Sequence, residues 1–210
     1  MTRFLRCGRE AVLVEVDDLD AALSLYAALR SADLPGVVDL VPAARTVLIH
    51  LDPAVTSPAA VERATAGLPV DGPGPGGTGT VGTGTVEIPV RYDGPDLADV
   101  ARHTGLTPDG VIALHTGSPW TVAFAGFTPG FGYLTGGDPR LDVPRRTSPR
   151  ARIPAGSVGL AGRFSGVYPS ESPGGWQLIG STTERMWDLD RPEPALLVPG
   201  VRVTFRVVPR

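Results

Sequence analysis

The apolar run Ala11–Val16 (AVLVEV), broken only by Glu15, predicts a first strand. Asp17 or Asp18 then stands as N-cap of a helix running to about Arg30. Leu19, Leu23, Tyr26 and Arg30 recur along it at helical spacing. Val37–Val41 and Thr46–Leu51 predict two further strands about a Pro-containing turn. Ser57 before Pro58 marks a second helix start, and Gly67 its stop. With a short last strand over Leu68–Val70, the order gives a ferredoxin-like split βαβ domain over residues 1–70. The Gly/Pro/Thr-rich segment Asp71–Thr85 reads as a flexible linker.

The pattern changes in residues 86–210. Val86–Tyr92 alternates and predicts a strand. Asp96 reads as the cap of a helix ending at Gly105, and Thr107-Pro108 starts another that runs to His115. Val122–Phe124 is a short strand. Short apolar runs return at Gln177–Ile179, Ala195–Val198 and Val201–Val208, separated by Pro and Gly, as in a β-rich barrel or sandwich. Between them, Gly126–Thr182 shows neither helical nor alternating period. It is dense in Gly, Pro, aromatics and Arg, and reads as a loop-rich presenting surface.

Composition narrows the chemistry. All nineteen basic residues are Arg, which excludes a Schiff-base lysine, a Walker lysine and a lysine general base. A single cysteine, Cys7, excludes an intrachain disulfide and a Cys-based zinc site. The three histidines are far apart, so no metal site is expected. A net charge of −3 does not point to nucleic acid. No run is long enough to span a membrane, and a cytoplasmic location is expected.

Two motif matches fail on context. Gly77, Gly79 and Gly82 form GxGxxG, but no strand precedes them and no helix comes after. Ala155–Gly159 (AGSVG) resembles a nucleophile elbow, but the residues after Ser157 are not helical. There remains an anion-accepting groove, with Tyr133, Arg145 and Arg150 as substrate-binding residues and Phe127, Pro129, Phe131 and Trp176 as walls. His115, ending a helix, and Glu171, in a stiff turn, are expected to converge there as proton-moving groups. The competing reading has solvated arginines on turns, aromatics in the core and His115 bonded to a loop carbonyl.

The motifs GFTPGF, PRRTSPR, IPAGSVG and SPGGW, in that order, resemble the family of 5-oxoprolinase B subunits. That family also takes in the sporulation-kinase inhibitor KipI and allophanate hydrolase-type subunits. VPAARTVLIHLDP resembles the same family's first domain, so the likeness covers nearly the whole chain. It implies a small α/β domain followed by a mainly-β, cyclophilin-like barrel. It also implies work with the homologous C and the A subunits of the oxoprolinase complex in the ATP-dependent opening of 5-oxoproline, a cyclic amide, to glutamate. ATP contacts are expected largely in the partners, and little activity in this chain alone. The alternatives are kinase inhibition or an allophanate hydrolase-type role.

Overall fold

Residues 2–68 and 84–209 are described in a computed structural model of the chain. They belong to two units, Met1–Gly79 and Thr80–Arg210. Most of the expected Asp71–Thr85 linker lies outside the described residues, as do Pro69 and Val70 of the expected last strand; Thr85 itself opens a strand.

The first unit runs β1 (Arg3–Arg6), β2 (Ala11–Glu15), α1 (Leu19–Ala32), β3 (Val37–Pro42), β4 (Thr46–Leu51) and α2 (Pro58–Ala66). Its sheet has the order β1-β2-β4-β3, with every neighbour antiparallel. Helix α1 therefore joins strands separated by β4. Both helices begin where their caps predict. Asp18 accepts from the Ala21 amide at 2.9 Å, and Ser57 from the Ala60 amide at 3.3 Å. Leu25, Leu29 and Val61 join Val12, Val14, Val47 and Ile49 in one core. The edge beside β2 is filled by β1, whose RFLR sequence has too little apolar length to announce a strand.

The second unit contains β5 (Thr85–Val90), α3 (Leu97–Thr104), α4 (Pro108–Gly117), β6 (Trp120–Ala125) and β7 (Gly132–Thr135). A 3-10 turn comes next at Pro139–Leu141. Then come β8 (Arg150–Ile153), β9 (Ser157–Ala161), β10 (Phe164–Val167), β11 (Ser172–Gly174), β12 (Gln177–Ser181) and β13 (Arg202–Val207). Seven strands form one sheet in the order β12-β9-β10-β7-β6-β13-β5. β13 and β5 are parallel; the other neighbours are antiparallel. Arg91 and Ser181, just beyond β5 and at the end of β12, exchange two backbone hydrogen bonds of 2.8 Å. These bonds bring the outer strands together and leave the sheet nearly closed as a barrel. β8 and β11 form a separate two-stranded ribbon.

Two expectations need correction. Gly126–Thr182 is not loop alone, because β7 to β12 all fall within it. Those strands are three to five residues long, and β9 is buried throughout, so alternation has no room to appear. Conversely, Ala195–Val198 is not a strand; Ala195 makes only an isolated bridge to Trp187, while Leu197 is fully buried.

Opposite faces of the barrel strands carry two different cores. Leu134, Val158, Leu160 and Ile179 belong to one with Ile88, Val122, Val203 and Phe205. Tyr133, Ala161, Phe164 and Leu178, from the alternate positions, belong to a second with Phe131, Ile153, Tyr168 and Trp176. Among the described residues no helix is long and apolar enough to cross a membrane.

Candidate active site

The second core is an aromatic wall. Phe131 meets Tyr133, Trp176 and Tyr168 at ring separations of 5.0, 5.3 and 5.3 Å, each edge to face. Tyr133 stacks on Phe124 at 4.4 Å. The GFTPGF segment makes the turn between β6 and β7. Its amides close it locally, Gly126 N–H to Phe131 O at 3.1 Å and Phe131 N–H to Thr128 O at 3.0 Å. Gly130 has φ +83°, a conformation glycine reaches without strain. Phe127 has φ +71° and is 59% exposed. A non-glycine residue in this region is strained by about 1–2 kcal/mol. Its ring stands edge-on to Phe131 at 5.6 Å, with Pro129 exposed on the same turn.

The arginine loop beside the wall is held by a residue read from sequence only as a helix cap. Asp96 makes no side-chain cap bond to α3. Its carboxylate is 2% exposed and accepts four hydrogen bonds. Arg146 supplies one at 2.8 Å, Arg150 supplies two at 2.9 and 2.7 Å, and the Leu178 amide supplies one at 2.7 Å. Burial pushes the Asp96 pKa up. The bonds from Arg150 and Leu178, with the charges of Arg150 and Arg146, more than reverse this, and it lies below the usual carboxylate range. The Arg146 amide donates to Gly175 O at 2.8 Å, and Gln177 Nε2 donates to Pro144 O at 3.1 Å. The backbone on both sides of Arg145 is thereby anchored.

Arg145 itself is exposed, and its guanidinium has no hydrogen bond or ion pair among the described residues. Its charge reaches both wall phenols. Burial raises the Tyr133 pKa and pushes Tyr168 up to about 12, while Arg145 pulls each back down. Phe131 and Trp176, expected as groove walls, are buried core residues, so the cation without a partner stands beside an aromatic cluster of which Tyr133 and Phe127 reach solvent. That combination can accept an anionic group while the wall receives an apolar ring.

The other expected residues are elsewhere. Arg150 is consumed by Asp96. Glu171 is exposed and holds Arg152 through two bonds of 3.0 Å, on the ribbon of β8 and the turn before β11. His115 is fully buried and stacks on Phe205 at 4.2 Å. Its Nδ1 lies 2.8 Å from the Tyr92 hydroxyl and its Nε2 2.8 Å from Ser165 Oγ. Ser165 donates onward to Gly159 O at 3.4 Å, so Nε2 carries the proton and Nδ1 accepts from Tyr92. Burial lowers the His115 pKa to about 3. Ser165 and Phe164 point to opposite faces of β10, and Phe164 packs on Tyr133 at 5.6 Å. His115 thus lies across the sheet from the aromatic wall, not in a shared groove with Arg145. Asp96 and Tyr168 are the residues the sequence reading missed; the separations of Asp96 from Arg146 and Arg150, 50 and 54 residues, leave no local signal. Among the described residues no three His, Cys, Asp or Glu side chains converge as a metal site.

The chain matches the family described as carboxyltransferase domain, subdomain C and D, over residues 2–197. It is 41% identical to the 5-oxoprolinase B subunit of Escherichia coli O157:H7 over 182 residues, covering 85% of this chain and 81% of that protein. It is 36% identical to the 5-oxoprolinase B subunit of Bacillus subtilis (strain 168) over 218 residues, covering 96% of this chain and 87% of that one. Among solved structures, TTHA0988 superposes with TM-score 0.75 at 37% identity over 96% of this chain, which spans only 40% of TTHA0988. The K. lactis urea amidolyase superposes with TM-score 0.74 at 19% identity, 99% of this chain against 15% of that one, a likeness of fold alone.

Proposed function

The chain belongs to the carboxyltransferase domain, subdomain C and D family, and from that premise we propose that it is the B subunit of an ATP-dependent 5-oxoprolinase, opening the cyclic amide to glutamate. Its partners in this reading are the homologous C and the A subunits of that complex, in the cytoplasm. In this reading the element order makes the first unit ferredoxin-like, and the resemblance makes the second a cyclophilin-like barrel.

The observation that carries the reading is the unpaired Arg145 beside the aromatic wall. The substrate is a small flat ring bearing one carboxylate. Arg145 takes the carboxylate through its planar fork, and half-buried Tyr133 and exposed Phe127 present aromatic surface to the ring, with buried Phe131 and Trp176 packed behind them. A lactam is an unactivated amide. Transfer of the ATP γ-phosphoryl group to its oxygen releases ADP and leaves a more electrophilic carbon. One water then adds at that carbon and breaks the ring C–N bond, which leaves an acyl phosphate, and a second water cleaves this to glutamate and phosphate. With no lysine in the chain, the nucleotide contacts fall mainly to the partner subunits. Arg146 and Arg150 act through Asp96 as positioning residues for the loop. Glu171, paired with Arg152, belongs to the ribbon beside the site.

The test is reconstitution. The purified chain alone should release no glutamate from 5-oxoproline, and mixing it with the A and C subunits should give 5-oxoproline-dependent ATP hydrolysis. Assembly without that activity overturns the assignment.

A further inference from the structure

A separate cavity of about 310 Å³ lies between the start of β6, the segment after β7 and the β9–β10 turn. Its apolar lining comes from Trp120, Pro139 and Leu141, with Trp120 and Leu141 buried. Gly136 and Gly137 leave its wall as bare backbone. Gly136 has φ +94°, and a Cβ on Gly137 would enter the Trp120 ring. The Trp120 indole N–H is committed to His115 O at 2.8 Å, so no indole donor is left for a ligand.

Three charged side chains line this space. Asp138 is committed: it accepts from Arg140 at 2.8 and 3.0 Å and from the Arg140 amide. Asp142 and Arg163 are exposed, and neither side chain has a hydrogen bond or ion pair among the described residues, with each other included. One carboxylate and one guanidinium therefore border the same apolar hollow with their bonding capacity unused. A ligand complementary to both carries an ammonium and a carboxylate, with an apolar remainder.

We propose that this cavity is a binding site for a zwitterionic α-amino acid with an apolar side chain, its carboxylate on Arg163, its ammonium on Asp142 and its side chain against Trp120, Pro139 and Leu141. Arg163 suits a carboxylate because its donors form a planar fork. The volume stands at the small end of ligand cavities, which fits a molecule of this size. An acidic side chain is disfavoured, because Arg163 is taken by the α-carboxylate and Asp142 repels a second one. This site is distinct from the Arg145 surface and does not rest on the oxoprolinase reading.

The experiment is calorimetric titration of the full chain with L-leucine, N-acetyl-L-leucine, L-leucinamide and L-glutamate. L-leucine should saturate with Kd at or below about 1 mM, a binding free energy of roughly 4 kcal/mol. Removing either ligand charge, or substituting glutamate, should weaken binding about tenfold or more. Arg163→Ala and Asp142→Ala should do the same; both residues are exposed, and unchanged melting temperatures will show that the variants fold. No saturable heat with L-leucine, equal binding of the derivatives, or full binding by both variants overturns the proposal.

Discussion

Arg150 grips Asp96 with both ends of its guanidinium, Nη1 to Oδ2 at 2.9 Å and Nη2 to Oδ1 at 2.7 Å, across 54 residues of chain. The pair ties the start of α3 to the loop that carries Arg145. Removing Asp96 leaves two partly buried arginines without their acceptor and frees the Leu178 amide. Asp96→Ala should destabilise the second unit by roughly 3–5 kcal/mol, read by denaturant unfolding. Because the folded-state pKa lies below the ordinary one, the stabilisation is present above that ordinary value and is lost as pH falls through the folded value. Arg150→Lys keeps the charge but loses the fork, and should cost about 1–2 kcal/mol.

His115 titrates in the opposite sense to a salt-bridged histidine. Folding lowers its pKa from 6.5 to about 3, so the unfolded chain takes up a proton that the folded chain refuses. Its contribution should therefore make stability fall as pH drops from about 6.5 towards 3, by up to about 1.4 kcal/mol per pH unit. His115→Gln removes that slope while retaining groups that can bond Tyr92 and Ser165. Comparing the unfolding free energies of both proteins at pH 7 and pH 5 checks this. Parallel pH dependence would show that His115 is not the group responsible.

Phe127 separates conformation from recognition. Glycine at this position relieves the strain of φ +71° but gives up ring contacts to Phe131 and Tyr168 at 5.6 and 6.4 Å. Phe127→Gly should leave stability within about 1 kcal/mol of the parent. Turnover of the reconstituted complex should fall. A variant that is clearly stabilised and fully active would mean the exposed ring has no part in recognition.

The first unit was legible because its signals are local. Asp18 and Ser57 cap the helices they precede, and Thr46–Leu51 alternates as a strand with one buried face should. In the barrel, Ser157, Gly159, Ser165 and Gly166 are small or polar residues on buried strands, so the hydrophobic pattern that signals a strand is missing. Of the expected site, the aromatic wall and Arg145 were readable as composition: rings and arginines concentrated in one Gly/Pro-rich stretch. Which arginine stays unpaired was not readable. That depends on Asp96, brought from far along the chain by the packing of α3 beside β12. His115 does lie in the last turn of its helix, which runs on to Gly117, but the sequence does not say which side of the barrel wall that end faces.

The central claim is that Arg145, and not its paired neighbours, receives the substrate anion. The direct measurement is 5-oxoproline-dependent ATP hydrolysis by the reconstituted complex carrying Arg145→Ala, with Arg145→Lys beside it. Arg145 holds no partner among the described residues, so both variants should keep the parent melting temperature and assemble normally. The Ala variant should lose roughly ten- to hundredfold in kcat/KM for 5-oxoproline, the equivalent of one charge-assisted bond, and the Lys variant should fall between. An assembled Arg145→Ala complex with parental kcat/KM would contradict the account.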